Sequence, residues 1–392
     1  MGQTGMTQML SARCRGWLGA PATYGMALPE AKPTASQMYC PRGVYIDSRF
    51  ILVNDSGNHR LLGWKIDKGL PARHSEADFV VGQPDFLSEG AKLLHLPTGL
   101  TMVDQILLIA DAWHHRVLGW YSLPQNGEEP DFIIGQKDMQ STEPNRGRPG
   151  NRPGADSLYW PYGLAYIDGY LYVADTGNRR VLFWKGIPKT GEAAHGIIGQ
   201  DCFENNEENR GAIGPASFRW AHDIAGSNRL LLVADAGNHR ILGFATGSST
   251  SGAVTTKEPF SQAPASLLLG QKEFDQTEEY PYRPQSASSL RFPYGLSYLP
   301  AGNGEKALLA VADTANNRVL IFEDLPDKGR YLQARTVIGQ PDFAANGENN
   351  WKAVTEDSLC WPYGLHLHRF DDGTRILAVA DSGNNRIMLW QI

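Results

Sequence analysis

The sequence has no run approaching the ~18 consecutive apolar residues that a membrane-spanning helix requires, and no useful stretch with apolar residues at helical spacing. The first absence argues against a helical membrane anchor, the second against a helix-rich or alternating α/β chain. Cysteines are few. Cys14, Cys40, Cys202 and Cys360 stand far apart with no C-x-x-C pair, so the chain carries neither a disulfide framework nor a zinc signature. Cys40 and Cys360 occupy positions where other copies of the pattern described below have large apolar residues, and are expected to be buried thiols. There is no basic excess either: 36 Lys and Arg against 42 Asp and Glu leave a formal net charge of −6, and with it no electrostatic reason for a nucleic-acid partner. The first twenty residues lack a basic start followed by an apolar core, so no secretory signal is visible and a soluble, cytoplasmic protein is expected. No metal site or cofactor is expected.

What the chain has in quantity is glycine (42), proline (24) and repetition. DTGNRRVLFW at Asp175–Trp184 has five near copies: DSGNHRLLGW, DAWHHRVLGW, DAGNHRILGF, DTANNRVLIF and DSGNNRIMLW. Each opens on an aspartate with an arginine five residues later. The pairs are Asp55 and Arg60, Asp111 and Arg116, Asp175 and Arg180, Asp235 and Arg240, Asp313 and Arg318, and Asp381 and Arg386. Upstream stands Pro-x-Gly, and downstream an apolar run ends in Gly-Gln at Gln83, Gln136, Gln200, Gln271 and Gln340.

Each unit reads as four short strands, as in PYGLAY, LYVAD, RVLFW and GIIGQ, bounded by Gly, Asn, Asp and Pro. Many of these runs are apolar without strict alternation, which predicts burial on both faces. A four-stranded sheet covered on both sides by copies of itself is a propeller blade. The fold class is therefore all-β: a six-bladed β-propeller of four-stranded antiparallel blades in one domain spanning 1–392. The repeated Asp/Arg pairs are expected to be structural, a carboxylate and a forked guanidinium fixing a tight hairpin. Gly-Asn between them would supply positive φ.

The sixth unit stops after its third strand, whereas the chain begins Met-Gly-Gln. Gly2–Gln3 matches the end of the missing strand, so the N-terminus is expected to close the last blade, which removes exposed sheet edges. That strand is either stunted or begins upstream. Residues 4–34 then form an insertion between blades.

D-x-G-N-[HR]-R-[VIL] after an L-x-V-A-D strand resembles the NHL-repeat family, with Asn58-His59-Arg60-Leu61 and Asn238-His239-Arg240-Ile241 carrying the name motif almost literally. The Gly-Gln-Pro-Asp-Phe strand ends are similar to those of bacterial NHL-repeat proteins. The resemblance implies a six-bladed propeller usually used for binding. Some relatives bind RNA as modules of RING-type ubiquitin ligases, and a few related propellers are enzymes holding zinc or calcium. The chain has no paired Cys/His fingers, so ligase activity does not carry over.

Function is expected on the face that bears the Asp-led turns and the long links from Gly-Gln to Pro-x-Gly. The middle residues of the Pro-x-Gly positions, Arg42, Thr98, Tyr162, His222, Tyr294 and Tyr363, are expected to ring the central channel, to bind a peptide or small anion or merely to plug it. Two departures stand out. Blade four reads Ala221-His222-Asp223 in place of Pro-x-Gly, and blade two reads Ala112-Trp113-His114 in place of Ser-Gly-Asn. The leading reading is a non-catalytic scaffold that binds a protein or peptide. The alternative is a lyase or hydrolase using His222, with or without a divalent metal. RNA binding ranks third, resting on Arg146, Arg148 and Arg152.

Overall fold

The computed structural model describes residues 11–20, 32–67, 69–245 and 263–392. The apolar runs form six sheets. Blade one comprises Gly43–Ile46, Phe50–Asp55, Arg60–Lys65 and Phe79–Val81, antiparallel and in sequence order. Blades two to five repeat this order from first strands Pro97–Val103, Pro161–Ile167, Ala221–Gly226 and Pro293–Leu299. Blade four adds a two-residue strand, Gly329–Arg330, parallel to its own Leu267–Leu269. Blade six takes Pro362–Arg369, Arg375–Asp381 and Arg386–Gln391 from the C-terminal end.

Its fourth strand is Arg13–Gly19, paired antiparallel with Arg386–Gln391. The N-terminal part of the chain therefore does close the ring, through residues inside the 4–34 segment expected as an insertion; Gly2–Gln3 lie outside the described residues. Trp17-Leu18-Gly19-Ala20 takes the place of Ile197-Ile198-Gly199-Gln200. Leu18 pairs with Ile387 as Ile198 pairs with Val181, and Gly19 and Gly199 share a φ of 95°.

Strands alternate their side chains between two faces, and here both faces are covered. Six apolar clusters form the core, each drawn from two neighbouring blades, including one between blades six and one. Trp17 packs into the cluster between blades five and six and Leu18 into the one between six and one, so one strand seals two junctions. An open arc of six blades would have five junctions.

The Asp/Arg pairs are buried ion pairs with Nε to Oδ2 distances of 2.7–2.8 Å in all six blades. The other aspartate oxygen accepts a backbone N–H of the incoming link, as from Tyr39 (2.7 Å) and Tyr159 (2.7 Å). The guanidinium donates to carbonyls of both flanking links: Arg180 reaches Phe203 (2.5 Å), Gly154 (2.9 Å) and Ser157 (3.1 Å). In blades one to five each pair thus ties one hairpin to two connections; among the described residues Arg386 reaches only the Thr355 and Ser358 carbonyls of the link before it.

The turn glycine has a different role from the one expected. Gly57 does not adopt positive φ; a Cβ there would strike the ring and carbonyl of Tyr39. Where Trp113 or Ala315 replaces it, the N–H bond to the link is 3.2 Å, against 2.8 Å from Gly57. The left-handed residue is instead the one after the turn asparagine: His59, His115, Arg179, His239, Asn317 and Asn385, with φ of 52–57°.

Five of those six left-handed residues clasp the blades together. His59, His115 and His239 accept at Nδ1 the backbone N–H of Leu96, Trp160 and Phe292 in the next blade, each at 3.2 Å. Asn317 and Asn385 accept at Oδ1 from Trp361 and Cys40, each at 2.9 Å. The last of these spans the closing junction. A histidine can accept at Nδ1 only when it is neutral with its proton on Nε2.

Candidate functional site

The long links on the turn-bearing face are tied to the ring. Each Gly-Gln glutamine donates its amide to the carbonyl seven residues ahead: Gln83 to Gly90 (2.7 Å), Gln136 to Glu143 (2.9 Å), Gln200 to Glu207, Gln271 to Glu278 and Gln340 to Gly347 (2.8 Å each). Links two, three and five then carry an asparagine with positive φ, Asn145, Asn209 or Asn349, hydrogen-bonded to the turn asparagine of the following blade. The recurring glutamine was visible in the sequence as a landmark. Its bonding role was not, because its partners lie in loops with no common residue type.

The first strands converge on the axis. Their glycines let neighbouring backbones approach: a Cβ on Gly99 would run into the carbonyl of Tyr162, and one on Gly295 into that of Tyr363. All six expected ring residues, together with Asp223, line one axial cavity of about 200 Å³. Four of them form a continuous stack around half the ring. Tyr162 lies 4.4 Å from His222, His222 lies 4.1 Å from Tyr294 with nearly parallel rings, and Tyr294 lies 4.7 Å from Tyr363. The Arg42 guanidinium sits 5.0 Å from the centre of the Tyr363 ring. Thr98 is turned aside and donates to the carbonyls of Pro161 and Tyr162, each at 3.2 Å.

Blade four departs from the pattern because its neighbour lacks the clasp. Blade three has Arg179 where an acceptor is needed, and a guanidinium cannot accept. The N–H of Trp220 bonds Asp235 of its own blade at 3.2 Å, Trp220 does not share the left-handed conformation of the corresponding residues, and Ala221 stands in place of proline. His222 is buried, with its Nδ1 proton donated to the Tyr294 carbonyl (3.0 Å), and burial lowers its pKa to about 3. Asp223 accepts the N–H groups of Ile224 and Leu296, each at 2.8 Å, and burial raises its pKa to about 7 against the pull of those two bonds. A register shift between Ala221 and Asp223 brings both side chains to the cavity, where strict strand alternation would have separated them.

No family model matches the chain, and no curated protein does. Among solved structures, the chain is similar to a streptogramin B lyase structure at 12% identity, covering 92% of this chain and 95% of that one, with a TM-score of 0.41. It is similar to the RRP9 WD40 repeats at 10% identity (95% and 99% covered, TM-score 0.46) and to a chain of a nidogen/laminin complex at 13% (89% and 96%, TM-score 0.44). At these values the likeness extends to no site or activity.

Trp113 and His114, expected at the channel mouth, do not line the cavity. His114 does the work of the turn asparagine, donating Nδ1–H to Asp111 at 2.9 Å. Trp113 packs beside His95 and 6.3 Å from Trp160. The cysteines also differ from expectation: Cys40 and Cys360 are half-buried rather than enclosed, because they lie on the link side of the turns. Burial still pushes the Cys360 thiol up to about 12. Arg146 and Arg148 are both committed to Asp156, so two of the three arginines favouring RNA are internally paired. Among the described residues no group of three or more His, Cys, Asp or Glu is placed to hold a metal ion, and no helix is long and apolar enough to cross a membrane.

Exposed apolar surface is concentrated on the turn-and-link face. Of the eleven exposed large hydrophobic side chains among the described residues, nine lie there: Tyr39, Leu87, Trp113, Trp160, Trp220, Tyr280, Tyr282, Trp351 and Trp361. Tyr121 and Tyr166 are the other two. Trp160, Trp220 and Trp361 each stand two residues before a ring residue; clasps from the preceding blade hold Trp160 and Trp361, and Asp235 of its own blade holds Trp220.

Proposed function

We propose that this protein is a non-catalytic NHL-type propeller whose turn-and-link face binds a peptide segment of a protein partner. The supporting observation is the one-sided distribution of exposed aromatics, mounted on a scaffold that orders every described link. Tryptophan and tyrosine supply large contact area with little side-chain entropy to lose, and they dominate protein-binding hot spots. The ring residues Arg42, Thr98, Tyr162, His222, Tyr294 and Tyr363 belong to the same surface in this reading, with Asp223, Trp113 and His114 beside them. Four free thiols suit a cytoplasmic setting.

A catalytic role for His222 has less support. The ring is stacked, its Nδ1 proton is committed to the Tyr294 carbonyl, and a pKa of about 3 makes it a weak base with no imidazolium form at neutral pH. The binding reading is tested by selecting a phage-displayed peptide library on the immobilised protein. Enriched peptides are expected to lose roughly tenfold or more in affinity when Trp160→Ala, Trp220→Ala and Trp361→Ala are combined, with the unfolding midpoint as a folding control. No enrichment, or peptides indifferent to the triple variant, would count against it.

A further inference from the structure

We propose that the axial cavity is a binding site for a small organic zwitterion, its anionic end held by Arg42 and its ammonium end by Asp223. This site shares the ring residues with the face described above, and the zwitterion and peptide assays test the two readings separately.

The cavity contains one permanent cation and one carboxylate among its lining side chains. They come from blades one and four, opposite each other in a ring of six. Neither has a counter-ion among the described residues. Among the described residues Arg42 has no carboxylate and no hydrogen-bond acceptor, and rests only on the Tyr363 ring. Asp223 is half-buried and accepts two backbone N–H groups, with no lysine or arginine partner among the described residues. Every one of the six turn aspartates, by contrast, has its arginine at 2.7–2.8 Å.

An unpaired charge partly withdrawn from water is costly, and fold stability does not call for this one. The other five blades carry glycine at the position of Asp223, and three carry tyrosine at the position of Arg42. Burial alone, without a ligand cation, has moved the Asp223 carboxyl to a value where it is half protonated near neutrality. Tyr162, Tyr294, Tyr363 and the neutral ring of His222 line the same cavity, and aliphatic, tyrosine, serine and threonine side chains with neutral His366 complete its uncharged wall. Such rings favour an ammonium or a methylene chain between two charged ends. A volume of about 200 Å³ limits the ligand to a small molecule.

The test is titration calorimetry of the full chain with glycine, β-alanine, 4-aminobutyrate, 6-aminohexanoate and glycylglycine, with propionate and butylamine as singly charged controls. At least one zwitterion is expected to bind at least tenfold more tightly than both controls. That binding should fall at least tenfold in Arg42→Tyr and in Asp223→Gly. Both substitutions install what other blades already carry, so folding is retained, and circular dichroism checks it. Zwitterion binding is expected to survive the combined Trp160→Ala, Trp220→Ala and Trp361→Ala variant, whose three residues do not line the cavity. A series in which no zwitterion outbinds the controls by tenfold, or binding that persists in either variant, overturns the proposal.

Discussion

Arg180→Met is expected to destabilise the protein by about 3–5 kcal/mol, because it strands a buried carboxylate and removes donors from three carbonyls in two different links. Asp175 would keep the N–H of Tyr159 and the amide of Asn178 but lose its only counter-charge, while Phe203, Gly154 and Ser157 would lose their shared donor. Both members of the pair have fully buried side chains, so solvent cannot make good the loss. The exposed pair Arg229–Asp327 has the same charges at the same 2.7 Å, and there the corresponding Arg229→Met is expected to change stability by no more than about 0.5 kcal/mol. Denaturant unfolding of the two variants beside the parent measures the contrast. Equal effects would show that the repeated pair is ornament rather than framework.

His115→Asn is expected to make the protein markedly less sensitive to acid. His115 must remain neutral to accept the N–H of Trp160, and burial, chiefly, with a smaller push from His114, lowers its pKa to about 4. The ordinary value near 6.5 applies to the unfolded chain. Below pH 6.5 the unfolded chain therefore takes up a proton that the folded one refuses, so this residue's contribution is complete above that pH and is lost progressively down to about pH 4. The two values correspond to roughly 3 kcal/mol at the acid end. The groups facing the imidazole are His114, Asp111 and His95, with Tyr159 and Trp160 packed against its ring. Other groups move stability as well: Asp223, with its raised pKa, works in the opposite direction, and His222 and His366 in the same one. Only the difference between parent and variant isolates His115. Asparagine already serves as acceptor at Asn317 and Asn385, so the variant should fold and its relative stability should grow as pH falls from 7 to 4. Parallel pH profiles would refute the clasp.

The architecture was legible because every blade buries both faces of the same short strands, and that demand writes the same apolar runs six times over. The closing strand was harder to find. Ala20 stands where five copies have glutamine, so Trp17-Leu18-Gly19 lost its flag, while Gly2–Gln3 carried one. The turn glycine was misread for a related reason: its constraint is a neighbouring ring, and contacts across a junction leave no trace in local spacing. The histidine after the turn asparagine suffered most from this. Its partner is a backbone N–H 37–53 residues ahead, which no residue type advertises. The oddity of His222 and Asp223 was visible at once. Its origin in Arg179, one blade earlier, was not, and neither was the bulge that brings both side chains to the cavity.

Strand Arg13–Gly19 holds the ring shut, and a disulfide between positions 13 and 391 tests that most directly. Arg13 and Gln391 face each other as paired residues near the two ends of the chain. After mild oxidation of the folded Arg13→Cys, Gln391→Cys variant, in a Cys14→Ser background, peptide mass mapping is expected to find the two positions linked within one chain. Failure to link, or links found only between chains, would contradict closure by this strand in this register.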